Sequence, residues 1–310
     1  MLEAAIMIEG QDGLNWTRWQ NIAQAVEDLG FAGLYRSDHF TNSRPPNKDA
    51  LELWVSLTWL ASHTRRIEFG SLVSPVSFRD PVMTARMALQ VNDLSGGRLR
   101  LGLGAGWQER EHQMFGYDLL DLERRFERFQ EGLEVITRLV RSGGEPVDFN
   151  GQYYRLREAA LLPRSRAGAP AIVIGGNGPR RTLPLVVRYA EEWNAVDIPA
   201  SKVSALNRQL DEMLRAAGRE PSSVRRTLMT SLVTGRDENE LKAKLNGRAA
   251  GELRERGTLV GTPAQVSEQL EELAQAGVQR VMLRWANMDD IDGLEDFARG
   301  IGVVDGKVGV

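Results

Sequence analysis

"IVIGGNGPRRTLPLVVRYAEEWN" (residues 172–194) contains the pattern that decides the fold. A short apolar run rich in β-branched residues leads through a glycine-rich turn into a segment of helical spacing, and a second strand-like run, "WNAV", begins at its end. Two strands joined by such a helix pair in parallel, because the helix crosses over the sheet before the chain returns. The stretch therefore predicts one strand–helix–strand unit of an α/β fold.

The same alternation occurs eight times in 310 residues. It favours parallel strands with crossover helices, and eight units favour a closed (β/α)8 TIM barrel over an open doubly wound sheet. We predict a single barrel domain over residues 1–310. The predicted strands are "AAIMI", "AGLYRS", "RIEFGSLV", "RLRLGLGAG", "AIVIGG", "WNAV", "RRTLMTSLVT" and "RVMLRW".

Two segments are longer than a minimal barrel requires. Residues 142–170, before strand five, are rich in Gly, Pro and Arg and predict an irregular loop. Residues 235–258, after strand seven, are highly charged and predict a helical insertion. Because the loops that follow barrel strands lie on the active face, the second segment is the better candidate for a lid.

Composition excludes several classes of function. The net charge of −3 gives no electrostatic basis for binding nucleic acid or an anionic membrane, and no apolar run is long enough to span a bilayer. The absence of cysteine excludes disulfides, thiolate nucleophiles and cysteine-based metal sites, and the three histidines are too far apart in sequence to predict a metal site. The N-terminus has no signal-peptide pattern, so we expect a cytoplasmic protein.

The glycine-rich turn has two interpretations. Gly175, Gly176 and Gly178 permit positive φ and close backbone approach, and Pro179 suits the first position of a helix, as in an ordinary tight turn. However, two arginines follow directly, and cations at a helix N-terminus are unfavourable unless an anion neutralises them. We therefore interpret the turn as a phosphate-binding site.

Two other strand ends carry residues that could serve chemistry. Asp38 and His39 follow the second strand, where histidine could transfer a proton near neutral pH; alternatively, Asp38 caps a turn and His39 is merely exposed. Glycines 102, 104 and 106 alternate along the fourth strand and so share a face. Their missing side chains leave room for a flat ring, or else permit close packing inside the barrel. Trp107 is either a stacking wall or part of the core.

The second helix bears several large apolar residues. We expect a homodimer, and these residues could line its contact, but we favour packing against the barrel as the use of their side chains. These residues are Leu53, Trp54, Leu57 and Trp59.

Taken together, these motifs resemble the bacterial luciferase-like superfamily, and more closely its branch of oxidoreductases that depend on the deazaflavin coenzyme F420. The similarity runs in order from about residue 5 to residue 195, through "GLYRSDHF", "GSLVSPVSFRDP", "LSGGRLRLGLGAGWQEREHQMFG", "ERFQEGLEVI" and "IGGNGPRRTLPLVVRYAEEWN". It implies a TIM barrel that transfers hydride between C5 of the deazaflavin and a small organic substrate. The alternatives are an FMN-dependent monooxygenase of the alkanesulfonate type and a flavin-binding barrel without catalysis.

The resemblance also implies roles for individual residues. His39 would handle the proton, with Asp38 beside the ring and with Glu109 and Glu111 as further candidates. Trp107 stands where some sugar-phosphate dehydrogenases of this branch have a catalytic glutamate, so we do not expect that activity. The implied coenzyme-binding residues are Asp38; Ser71 and Leu72, whose bond matches a cis peptide in relatives; Gly104, Ala105, Gly106 and Trp107 near the ring; and Gly175, Gly176, Asn177, Gly178, Arg181 and Thr182 at the phosphate.

Overall fold

A closed barrel of eight parallel strands forms the centre of the computed structural model, which describes residues 2–309. Each barrel strand pairs with two neighbours, and the last strand pairs with the first, as in the register Ala5 opposite Met282. The TIM barrel predicted from the alternation is therefore confirmed. The barrel strands are β1 (Glu3–Ile8), β2 (Gly33–Arg36), β3 (Glu68–Ser71), β5 (Leu99–Gly104), β8 (Ala171–Gly175), β9 (Glu192–Val196), β10 (Arg225–Thr234) and β12 (Arg280–Arg284), and the short strands outside this ring are β4 (Ser74–Pro75), β6 (Val147–Asn150), β7 (Arg155–Ala159) and β11 (Leu259–Gly261).

Helices surround the barrel and begin where the sequence supplies caps. The side chains of Asn15, Asp80 and Asp121 each accept a backbone N–H from the first turn of the helix that follows, which satisfies donors that would otherwise be unpaired. The helices are α1 (Trp16–Asp28), α2 (Leu53–His63), α3 (Pro81–Leu94), α4 (Glu109–Phe115), α5 (Leu122–Arg141), α6 (Thr182–Tyr189), α7 (Ala200–Ala216), α8 (Glu238–Leu245), α9 (Ala250–Glu255), α10 (Pro263–Gln275) and α11 (Ile291–Gly300).

The apolar core has two layers. The larger layer lies between the barrel and its helices and includes Trp19, Phe69 and Trp193, all fully buried. Leu53, Trp54 and Leu57 are also buried in this layer, so these residues of α2 pack against the barrel rather than face solvent. The smaller layer fills the barrel interior and consists of Ala5, Met7, Tyr35, Leu72, Val173, Met229 and Met282, with Val73 and Val196 packed against it.

Ion pairs close the N-terminal end of the barrel. The buried guanidinium of Arg280 donates to the hydroxyl of Tyr35 and to Glu68, at 2.5 Å in each case. Burial by itself raises the pKa of Glu68, but its hydrogen bond with Arg100 and the charge of Arg280 dominate together and lower it to about 2. A ligand can therefore approach the barrel interior only from the opposite end, where the strands have their carboxyl termini.

The two long segments differ from each other in structure. Residues 142–170 contain the antiparallel hairpin β6–β7, so the prediction of an irregular loop was wrong. The reason is a tertiary contact: the carboxylate of Glu131, on α5, accepts the backbone N–H groups of Gln152 and Tyr153 at 2.8 Å and holds the turn. Residues 235–258 contain α8 and α9, as their charged helical pattern predicted. Among residues 2–309, no helix has both the length and the apolar character needed to cross a membrane.

Candidate active site

A cavity of about 690 Å³ opens at the carboxyl ends of the barrel strands. Residues from all eight barrel strands, or from the turns that follow them, line it. This is the end at which TIM-barrel enzymes bind their ligands. Of the residues proposed from the sequence, the lining includes His39, Leu72, Gly104, Ala105, Gly106, Trp107, Glu111, Gly175, Gly176 and Thr182. The others, Asp38, Ser71, Glu109, Asn177, Gly178 and Arg181, lie outside it.

His39 and Glu111 form a hydrogen-bonded pair at the mouth of this cavity. Nδ1 of His39 lies 2.7 Å from Oε1 of Glu111, and the other carboxylate oxygen accepts the backbone N–H of Phe40 at 2.9 Å. Only 15% of the His39 side chain and 1% of the Glu111 side chain are exposed. Burial, the largest single influence, lowers the pKa of His39, but the hydrogen bond and charge of Glu111 outweigh it and raise the pKa above its usual value.

This pairing determines which histidine nitrogen can do chemistry. With Nδ1 directed at Glu111, Nε2 is the nitrogen available to a ligand, and no residue among 2–309 hydrogen-bonds to it. The ring of Trp107 meets the imidazole edge-on, with centroids 5.6 Å apart. Trp107 is 62% exposed, so it forms a rim to the cavity and is not part of the core.

One part of the cavity wall depends on glycines that make room for Val73. A Cβ on Gly104 would lie 2.5 Å from Cγ2 of Val73, and one on Gly175 would lie 3.1 Å from Cγ1 of the same residue. At Gly102 a Cβ would lie 1.9 Å from the carbonyl oxygen of Ser71. Close packing therefore explains Gly102, whereas Gly104 and Gly175 both accommodate Val73 and line the cavity. The result is an apolar wall in which the methyl groups of Val73 lie against the two glycines.

The non-proline cis peptide is between Leu72 and Val73, so the expected position between Ser71 and Leu72 was wrong by one residue. Ser71 is still part of the sheet: it pairs with Arg36, and its hydroxyl donates to the carbonyl of Gly102 at 2.7 Å. The N–H of Leu72 also donates to Arg36, at 2.8 Å. The bond between Leu72 and Val73 is thus the first one beyond the hydrogen bonds to β2.

The glycine-rich turn borders the same cavity through Gly176 and Thr182. Gly176 has φ of +127°, and a Cβ there would lie 3.2 Å from the Thr182 hydroxyl oxygen. That hydroxyl has no hydrogen-bond partner among residues 2–309, and neither do the backbone N–H groups of Gly178, Arg180 and Arg181. A turn with unused donors beside a cavity is suited to an anion.

The start of the following helix differs from the prediction. The amides of Thr182 and Leu183 both donate to the carbonyl of Gly178, so residues 179–181 form a turn and α6 begins at Thr182. The prediction that Pro179 occupies the first helical position was wrong. Arg181 stacks its guanidinium 5.5 Å from the centre of the Phe126 ring, and Phe126 lines the cavity.

Asn177 and Asp38 are both held by protein partners. The amide of Asn177 donates to the carbonyl of Val196 at 2.7 Å and accepts its N–H at 2.9 Å, which fixes the turn against β9. Asp38 accepts from the Ser74 hydroxyl at 2.7 Å and from the Arg79 guanidinium at 2.5 Å. Asp38 is thus buried outside the cavity lining, and its partners hold the segment that carries His39.

Several lining residues were not identified from the sequence. They follow β1 or lie within β9, β10 and β12, so the rule that barrel ligands meet strand ends would have indicated the region but not the chemistry. Asn194 is notable, because its side chain is fully buried and its Oδ1 has no partner among residues 2–309. The residues missed include Glu9, Gln11, Asn194, Met229 and Arg284.

These residues fit a flat, uncharged ring with an anionic tail. The cavity has an apolar wall for the face of a ring, a buried amide oxygen that can accept an N–H, and an amide-rich turn for an anion. No group of three or more His, Asp or Glu side chains in the described part of the chain could hold a metal ion. The fold and the site define the class of TIM-barrel proteins that have a ligand cavity at the carboxyl ends of their strands.

Comparison with known proteins assigns the family. The model of the luciferase-like monooxygenase family matches residues 4–252. The chain therefore belongs to this family, and the resemblance seen in its sequence motifs is confirmed. It is an enzyme of the luciferase-like type.

Three similar proteins illustrate the range of the family. The phthiodiolone/phenolphthiodiolone dimycocerosates ketoreductase of Mycobacterium kansasii is 33% identical over 208 residues, which are 65% of this chain and 54% of that protein. The F420-dependent hydroxymycolic acid dehydrogenase of Mycobacterium tuberculosis is 29% identical over 269 residues, 85% of this chain and 70% of the relative. The solved structure of an F420-dependent secondary alcohol dehydrogenase with an F420-acetone adduct superposes with a TM-score of 0.85 at 18% identity, covering 98% of this chain and 99% of the other. The chain thus spans about half the length of the first of these relatives, and the structural likeness shows the fold alone.

Proposed function

We propose that this protein is an F420-dependent oxidoreductase that interconverts a ketone and a secondary alcohol. The observation that carries the proposal is the His39–Glu111 pair at the mouth of a cavity that has an apolar wall. Interconversion of a carbonyl and a hydroxyl requires one proton to move at the substrate oxygen, and His39 is suited to that task. The names of the three similar proteins, a ketoreductase and two dehydrogenases, support this type of reaction.

Residues of this chain would hold the coenzyme in two places. The wall formed by Val73, Gly104 and Gly175 would support the ring, and the buried amide oxygen of Asn194 would accept a ring N–H. The turn at Gly176 and the hydroxyl of Thr182 would bind the phosphate of the tail, with Arg181 adding positive charge. When bound, the deazaflavin supplies a carbon that accepts or donates hydride.

The remaining chemistry belongs to His39. In alcohol oxidation, Nε2 takes the hydroxyl proton while hydride leaves the carbinol carbon; in ketone reduction, the imidazolium returns that proton to the carbonyl oxygen. Glu111 fixes the ring of His39 and stabilises its charged form. A well-placed acid–base group of this kind contributes roughly 10²–10⁴-fold to the rate.

An FMN-dependent monooxygenase is the second candidate, because the same wall and turn would hold an isoalloxazine ring and its phosphate. The two functions are separated by titrating the purified protein with F420 and, separately, with FMN, while following coenzyme fluorescence. We expect tight binding of F420 and its reduction on addition of a secondary alcohol such as 2-propanol. Tight binding of FMN, with no binding of F420, would rule out the proposal.

A further inference from the structure

The mouth of the cavity has an unusual surface. Ten large hydrophobic residues are exposed in the described part of the molecule, and four of them lie within residues 107–122. The other six are distributed along the rest of the chain. Isolated exposed apolar side chains are common, but a concentration of them at one place indicates a binding surface.

Three of these residues contact the segment that carries His39 or line the cavity, and we call them the apolar rim: Trp107, Phe115 and Leu122. Trp107 contacts the imidazole of His39, and both Trp107 and Leu122 line the cavity. Phe115 is 48% exposed and stacks on Phe40, the residue after His39, with centroids 4.7 Å apart. The rim is therefore continuous with the place where the proton is transferred.

The other side of the mouth carries many more charged side chains, although apolar residues such as Leu232 and Trp285 also line it. A second chamber of about 860 Å³ lies next to the cavity beneath α8 and α9, and the two share Glu9, Asp12 and Arg284. An alkyl chain would have to displace hydration from charged groups there, which is unfavourable. The charged residues that line this chamber are Lys244, Arg248, Arg256 and Arg284 with Glu9, Asp12, Asp197 and Asp290.

We propose that the apolar rim binds the alkyl chain of the substrate, and that the substrate is a ketone or secondary alcohol with an extended aliphatic chain. This inference rests on the proposed function for the reacting group. It also places the part of the substrate beyond the reacting group. The oxygen-bearing carbon lies at His39, and the alkyl chain leaves the cavity over Trp107 towards Phe115 and Leu122. Each methylene that leaves water for the rim tightens binding about three- to fourfold.

The test uses 2-alkanones from 2-butanone to 2-decanone. We would measure kcat/KM with reduced F420 and, separately, the displacement of 8-anilinonaphthalene-1-sulfonate from the protein without coenzyme. We expect kcat/KM, and the affinity obtained from dye displacement, each to increase about three- to fourfold per added methylene until the chain extends beyond the rim. The second measurement does not depend on F420.

A matched pair of leucines provides the control. Leu122 in the rim and Leu94 at the end of α3 are 49% and 52% exposed, respectively. We expect Leu122→Gln to weaken the use and binding of 2-octanone by about tenfold and those of 2-butanone by less than twofold, because only the longer chain would reach it. Leu94→Gln should behave like the unmodified protein.

The outcomes separate the two proposals. If 2-alkanones are reduced with no dependence on chain length, the proposed function stands and the alkyl-chain inference is wrong. If they are not reduced but displace the dye with a chain-length dependence that Leu122→Gln removes, the inference holds and the proposed function fails. If Leu122→Gln instead converts a dimer into a monomer in light scattering and chain length has no effect, a second copy of the chain covers the rim and the inference is overturned.

Discussion

Nδ1 of His39 lies 2.7 Å from a carboxylate oxygen of Glu111, although the two residues are 72 positions apart in the chain. Glu111 is almost completely buried, so its carboxylate is not free to turn away into solvent. The contact therefore fixes both the orientation of the imidazole and the nitrogen that faces the cavity. The pKa of His39 and its proposed part in proton transfer both depend on this contact.

The first prediction concerns pH. Glu111 raises the pKa of His39, so the imidazolium persists to higher pH than in an ordinary histidine. Ketone reduction needs the imidazolium and should decline as pH rises through this raised pKa, whereas alcohol oxidation needs the neutral ring and should increase. Glu111→Gln should move both transitions to lower pH, as pH–rate profiles in the two directions would show.

An NMR titration checks the same prediction without turnover. The chain has three histidines, so their ring signals can be assigned individually by substitution. The pKa of His39 should fall in Glu111→Gln and stay unchanged in Glu109→Gln, which alters a more exposed residue of the same helix. A His39 titration unaffected by Glu111→Gln would contradict the role given to this carboxylate.

The second prediction concerns catalysis by His39. His39→Gln should lower kcat for hydride transfer about 10²–10⁴-fold, because the substrate oxygen loses its proton donor and acceptor. Coenzyme affinity, measured by fluorescence titration, should change by less than about threefold, since the proposed phosphate and ring contacts are made elsewhere. His63→Gln, on the exposed side of α2, serves as the control and should have full activity. A His39→Gln variant with unchanged kcat would show that another group moves the proton.

The third prediction concerns the wall of the cavity. Gly104→Ala would place a methyl group 2.5 Å from Val73 Cγ2, and we expect this overpacking to lower the free energy of unfolding by about 1–3 kcal/mol and to weaken coenzyme binding. Adding Val73→Ala should recover most of the loss, because it removes the opposing methyl groups. Urea denaturation of the single and double variants measures this coupling.

Gly251→Ala is the matched control for this change. A Cβ at Gly251, on α9, meets nothing within 4 Å, so alanine there should leave stability unchanged or raise it slightly. Strictly additive effects of Gly104→Ala and Val73→Ala would mean that the two side chains do not compete for the same space.

The fourth prediction concerns the phosphate. Thr182→Val keeps the shape of the side chain but removes the hydroxyl that borders the glycine-rich turn. We expect F420 affinity to fall about tenfold, because one charge-assisted hydrogen bond to the phosphate is lost. The affinity for the same deazaflavin without its phosphate-bearing tail should not change, and fluorescence titration of both ligands provides the comparison. Equal losses for the two ligands would place Thr182 at the ring instead.

Much of the fold could be predicted because its signals are local. Apolar runs and helical spacing repeat over 5 to 20 residues, and the eight predicted strands overlap the eight observed ones. The hairpin in residues 142–170 was missed because Glu131, outside that segment, holds its turn. The start of α6 was misplaced for a related reason. The carbonyl of Gly178 accepts hydrogen bonds from the backbone N–H groups of Thr182 and Leu183, so Pro179 lies in a turn before the helix.

The sequence by itself determined the strand–helix alternation, the glycine-rich turn after β8 and the presence of a histidine after β2, because each is a property of neighbouring residues. Only the tertiary structure decided that His39 meets Glu111, that Arg79 holds Asp38 outside the cavity lining, and that Val73 fills the space left by Gly104 and Gly175. These contacts join distant parts of the chain. Their geometry follows from the register in which eight strands close into a barrel, and no local pattern specifies that register to within one residue.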